Sequence, residues 1–198
     1  MAISPTKQLI LKISAGNTKT GKIPAVSLPP IKSCGNCRYC RNKCYALKSY
    51  RMYPAVKNAW DSNYDLWKTS PMDYYLQLHE YLNKYKPGFF RYHVSGDIPD
   101  QLYLDMIKTL ARDHKDTKFL VFTKMFDFDY RNIPGNLSVV FSLFPGMKKP
   151  RKSFPTATAI NKGDAIPENS LDCPGNCETC GMCWNLKETG KNVYFHMH

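Results

Sequence analysis

Residues 89–123 read FFRYHVSGDIPDQLYLDMIKTLARDHKDTKFLVFT. FFRYHVS (89–95) has the aromatic and β-branched content of a strand. PDQLYLDMIKTLARDH (99–114) repeats its apolar residues at helical spacing, and that spacing predicts one face of Leu102, Tyr103, Met106, Ile107 and Leu110. KFLVFT (118–123) is a continuous apolar run of strand length. Strand, helix and strand in about thirty residues make a parallel crossover unit, and strands apolar on both faces belong to a sheet that is covered on both sides.

The same reading extends outward. NLSVVFSLF (136–144), TATAI (156–160) and NVYFHM (192–197) read as further strands, QLILKI (8–13) as a short strand and IPAVSLPP (23–30) as a short extended piece. Helices are expected over 45–53, over 55–67 after Pro54, and from Ser70–Pro71 to Lys86, where Pro87–Gly88 stops the last one. The expected fold is α/β: a small partial (β/α) barrel or a mostly parallel sheet with helices, in one domain over 1–198. The basic stretch GMKKPRKS (146–153) is a loop inside it rather than a boundary.

Two cysteine-rich segments flank this body. CGNCRYCRNKC (34–44) holds Cys34, Cys37, Cys40 and Cys44, and CPGNCETCGMC (173–183) holds Cys173, Cys177, Cys180 and Cys183; these are all 8 cysteines. The gaps run two, two and three residues in the first nest and three, two and two in the second, so they are not a tandem copy. The first spacing equals the bacterial ferredoxin run, with Tyr45 where that run has proline. Four thiolates in eleven residues suit one 4Fe–4S cluster per nest. Zinc is the alternative: paired knuckles could join Cys34 and Cys37 to Cys180 and Cys183. The N-terminus MAISPTKQLILKIS lacks the pattern of a signal peptide, and no run reaches the roughly 20 apolar residues of a membrane span. A reducing cytoplasm is therefore expected, and disulfides are not.

The net charge is +12. It suits nucleic acid as a partner, and equally it could balance anionic clusters, since Arg38, Arg41, Lys43, Lys48 and Arg51 crowd the first nest. The aromatics Trp60, Tyr64, Trp67, Tyr74, Tyr75 and Tyr81 read as core packing, with base stacking as the rival. At the end of the 89–95 strand, Gly96 lets a ligand approach the backbone. Asp97 either binds an amine there or caps the next helix. Thr123–Lys124 ends the next strand at the same rim. Arg91 and His93 share a face by strand alternation, with His93 read as a core residue.

SCGNCRYCRNKCYA, FFRYHVSGDIPDQLYLDMI, FLVFTK and CPGNCETCGMCW, in this order over about 17–184, resemble the bacteriophage gene product 88-like family. The resemblance implies a phage-encoded protein acting in the cytoplasm of an infected bacterial cell. That family is in turn distantly similar to radical-SAM-like partial barrels. The likeness implies that Ser95, Gly96 and Asp97, with Thr123 and Lys124 on the same rim, hold S-adenosylmethionine where radical-SAM enzymes carry a Gly-Gly-Glu segment. Cys173-x3-Cys177-x2-Cys180 matches that group's cysteine spacing, with Cys183 as a fourth thiol; the first nest does not match it. No catalytic residue is assigned. The leading expectation is a protein with two 4Fe–4S clusters and redox or radical chemistry. The alternatives are a nucleic-acid-binding module with structural iron–sulfur or zinc sites, and an electron carrier served by a host electron donor.

Overall fold

The computed structural model describes residues 9–35, 37–151 and 153–197. Eight strands form one sheet: β1 (Ile13–Ser14), β2 (Ala25–Val26), β3 (Phe89–Tyr92), β4 (Lys118–Thr123), β5 (Leu137–Leu143), β6 (Thr156–Ile160), β7 (Ser170–Asp172) and β8 (Asn192–His196). The strand order is β1-β2-β3-β4-β5-β6-β8-β7, with β1 antiparallel to β2 and every other pair parallel. It is an open, mostly parallel sheet, so of the two expected architectures the sheet is the one formed.

The helices are α1 (Tyr45–Met52), α2 (Pro54–Thr69), α3 (Pro71–Tyr85), α4 (Gln101–Asp113) and two single turns, α5 (Cys177–Cys180) and α6 (Leu186–Thr189). Local chemistry sets their ends. Ser70 Oγ accepts the Asp73 N–H at the start of α3, and Lys86, at φ 41°, closes that helix before Pro87. Asp100 Oδ1 accepts the Tyr103 N–H at the start of α4.

The sheet has two differently covered faces. Phe90, Tyr92, Phe119, Val121, Val139 and Phe141 pack under α2, α3 and α4. Leu120, Val140, Ala157 and Val193 point the other way, against Ile23, Trp184 and Leu186. Burial on both faces is the physical reason the strands read as unbroken apolar runs.

Three expectations are corrected. Gln8 lies outside the described residues, and 9–12 is not a strand. Its backbone bonds to side chains instead: Leu11 N–H donates to Gln77 Oε1 (2.8 Å) and Lys12 N–H to Asn63 Oδ1 (2.7 Å). Leu102 is 60% exposed and Leu104 is in the core, because the buried stripe of α4 is centred on Tyr103, Ile107 and Leu110. Alternation stops at Tyr92: His93 has φ 63°, and it bonds Tyr103 on the helix face, while Arg91 lies on the other face.

Candidate metal centres

The first nest is a loop hung from the C-terminal end of β2. Cys34 N–H donates to the Ile31 carbonyl, and Cys40 and Arg41 N–H groups both return to the Cys37 carbonyl (3.2 and 2.9 Å). Cys44 then caps α1. Two devices fix the loop. Lys32 bonds Asp61 at 2.9 Å, where Lys57 and the Tyr50 hydroxyl also converge. Burial opposes ionisation of Asp61, but its three donors prevail and hold the carboxyl down at about 2. The second device is close backbone packing: Gly96, at φ +86°, lies so near Leu28 and Ser33 that a Cβ there would fall 2.6 Å from Ser33 Oγ.

Of the rim residues, Gly96 packs against Ser33, and the charges of Asp97 and Lys124 reach Cys34 and Cys40. Burial, and next the Asp97 charge, push the Cys34 thiol up to about 12. Cys40 is raised as well, chiefly by burial. Asp97 is not the cap of the next helix, which is Asp100; its Oδ1 accepts Ile98 N–H (2.8 Å) and its Oδ2 accepts Lys124 N–H (2.9 Å). Burial raises its pKa, against Lys124, Thr123 and these two donors, which lower it. Thr123 is fully buried and its hydroxyl accepts Met125 N–H. Ser95 Oγ is buried with no partner among the described residues. Lys124 alone of the five reaches outward, with Nζ 5.0 Å from the Phe144 ring centre.

The second nest covers the opposite face of the sheet. Asn176 Oδ1 caps α5 through Thr179 N–H, and Gly181, at φ 59°, ends that turn. Cys173 N–H donates to the Tyr194 carbonyl and Cys177 N–H to the Lys19 carbonyl. Glu178 accepts Lys22 N–H, which ties the nest to the 17–22 turn. Trp184 is the floor: its indole N–H donates to the Lys118 carbonyl (3.0 Å), and its carbonyl accepts Ser138 Oγ–H (2.6 Å). The four thiols line an apolar recess of about 20 Å³, and burial, then the neighbouring thiols, push Cys183 up to about 12.

Among the described residues no three His, Cys, Asp or Glu side chains stand close enough to hold a single metal ion as they are. Thiols act on one another within each nest: Cys183 feels Cys173, Cys177 and Cys180, and Cys34 feels Cys40.

Sequence reasoning gave Arg91 the same strand face as His93 and missed its environment. It is 7% exposed, its Nη1 donates to Cys177 Sγ at 3.5 Å, and its guanidinium lies 5.0 Å from the Phe122 ring centre. Its Nε is buried without a partner, and it forms no ion pair among the described residues. Its charge also reaches Tyr45, next to Cys44, and Cys183. An Arg inside FFRY in a buried strand was the available signal.

A family model described as gene product 88 matches residues 6–172. It spans the first nest and stops just before Cys173, short of the second nest that the sequence resemblance included. No curated protein and no solved structure matched the chain. No described helix is long and apolar enough to cross a membrane. The matched length is most of the chain, and the chain belongs to the gene product 88 family.

Proposed function

We propose that this member of a bacteriophage gene product family is an iron–sulfur protein. Each nest holds one 4Fe–4S cluster, and the chain carries out redox chemistry in the infected cell. The observation that carries the reading is Arg91. A guanidinium taken out of water without a counter-charge costs several kcal/mol. A neutral thiol does not offset that, whereas thiolates on a metal cluster do. Arg91 donates to Cys177 from a strand that cannot move, with Trp184 as a dry floor beneath the same thiols. The donor set, the buried cation and the apolar floor fit such a group, which when bound supplies a one-electron couple.

The chain's own residues then have distinct tasks. Arg91 holds charge balance at the second nest. Trp184, Val193 and Phe195 keep water from its inner side. Cys34 and Cys183 are protonated in the bare protein, so loading releases their protons and strengthens as pH rises.

Redox chemistry is favoured over radical S-adenosylmethionine chemistry by the fourth cysteine of each nest, Cys44 and Cys183, which offers a ligand to the iron that the radical chemistry leaves open.

The test is iron, sulfide and zinc content with the visible spectrum, on protein purified without oxygen. About eight irons and eight sulfides per chain, with broad absorption near 400 nm, is the expected result. Zinc without sulfide overturns it.

A further inference from the structure

The 16 acidic residues are unevenly placed. None occurs in residues 1–60, which hold eleven Lys and Arg, and none in 130–163, which hold six. The fold brings parts of these two acid-free stretches to one place, the C-terminal rim of the sheet. Three loops meet there. A Cβ on Gly146 would sit 3.7 Å from the Tyr39 ring, so the 144–151 loop lies against the first nest. Lys43 Nζ donates to Asn161 Oδ1 at 3.4 Å, which brings in the turn after β6. Lys124 lies over Phe144 from the end of β4.

Arg38, Arg41, Lys43, Lys148, Lys149 and Arg151 are all exposed, and none makes an ion pair among the described residues. Cluster charge does not account for them. Two four-thiolate cubanes carry about two negative charges each, which leaves the +12 chain at about +8. Along α1, which follows the first nest directly, Tyr45 (67%), Met52 (56%) and Tyr53 (54%) are exposed, interleaved with the exposed Lys48 and Arg51. Exposed rings next to unpaired cations are what stacks bases and tracks phosphates.

We propose that this rim binds single-stranded nucleic acid: the loop cations contact the phosphates, and Tyr53 stacks a base. Duplex DNA offers the same phosphates but no free base faces. The rim is separate from the second nest, and the proposal does not depend on which metal the nests hold.

The experiment is fluorescence anisotropy of a labelled oligothymidylate of about twenty nucleotides, titrated with the full chain at several salt concentrations. Wild type binds at about 50 mM salt, and its affinity falls steeply with salt. The triple variant K148Q/K149Q/R151Q binds about tenfold or more weakly, with a salt slope shallower by about 2. K84Q/K115Q/K187Q removes the same charge from exposed sites at the opposite edge and leaves binding within about twofold. Y53A weakens the single strand about fivefold or more and a duplex not at all. No binding at low salt overturns the proposal. So does equal loss in the two triple variants, or equal displacement by polyglutamate and by unlabelled oligonucleotide. Thermal unfolding of each variant checks that it folds. Iron content is read separately by absorption: a chain without iron that still binds sinks the proposed function and leaves this inference standing, and the reverse outcome does the opposite.

Discussion

Gly96 and His93 both depart from ordinary strand geometry within four residues, and for different reasons. Gly96 turns to φ +86° because the chain must pass under Leu28 and Ser33, where there is no room for a side chain. Gly96→Ala adds both left-handed strain and overlap with the Leu28 carbonyl. It should destabilise the protein by about 2 to 4 kcal/mol, and urea unfolding measures this. His93 is 4% exposed, and its Nε2 pairs with the Tyr103 hydroxyl, which pairs with that of Tyr74 at 2.7 Å. Burial, with Arg91 assisting, lowers its pKa from 6.5 to about 3. Between those two values the unfolded chain takes the proton and the folded one does not, so His93 contributes stability that is complete above about 6.5 and is lost as the pH falls toward 3. Stability against urea should decline from pH 7 to pH 4.5, and His93→Gln should flatten the part of that slope due to this residue. An unchanged slope in His93→Gln would assign it to other groups.

At the scale of elements, the second nest is a short run of turns folded over one tryptophan. α5 has four residues and cannot stand alone. It is held by Trp184, 4% exposed, which packs edge-on to Phe89 with ring centres 5.2 Å apart and bonds backbone in β4. Trp184→Ala removes the floor and leaves the indole bond to the Lys118 carbonyl and the apolar contacts unmade, while the backbone bond from Ser138 stays. It should cost about 3 to 5 kcal/mol and empty the second nest before the first. Metal content of the purified variant, read against urea unfolding, checks both parts. The first nest depends on a different support, the Lys32–Asp61–Lys57 ion cluster on α2, and should keep its metal in this variant.

For the whole molecule, two clusters would make the nests separate centres, with Arg91 against the second. Replacing any cysteine of 173–183 by serine should remove about four irons per chain and leave about four. Loss of all eight would mean that the nests share one site. Arg91→Met separates charge balance from packing. The bare protein should be as stable as wild type or more so, since a buried cation with no counter-charge is removed. The loaded protein should lose metal from the second nest about ten- to a hundredfold more readily. Chelator competition followed by absorption measures the second effect, and thermal unfolding of the bare chain the first. A variant that is weaker in both states would make Arg91 a packing residue only.

By itself the sequence determined the elements with strong local signals. β4 and β6 lie where 118–123 and 156–160 predict them, because an apolar run of that length between polar turns has few alternatives. The helix start at Ser70–Pro71 and the stop at Pro87 were equally legible, since capping and proline geometry act within a few residues. So were the two cysteine nests and the gene product 88 family. Other features were decided only by tertiary structure. β7, three residues with little apolar content, forms because β8 offers it an edge. Residues 9–12 lose their strand to the side chains of Asn63 and Gln77, more than fifty positions away. Asp97 becomes a tie between two strand ends because Lys124 N–H comes within 2.9 Å of it. Arg91 lies against the second nest because β3 places it on the face that the C-terminal turns cover. Each of these rests on a contact between distant parts of the chain, and periodicity and spacing carry only what neighbours in sequence do to one another.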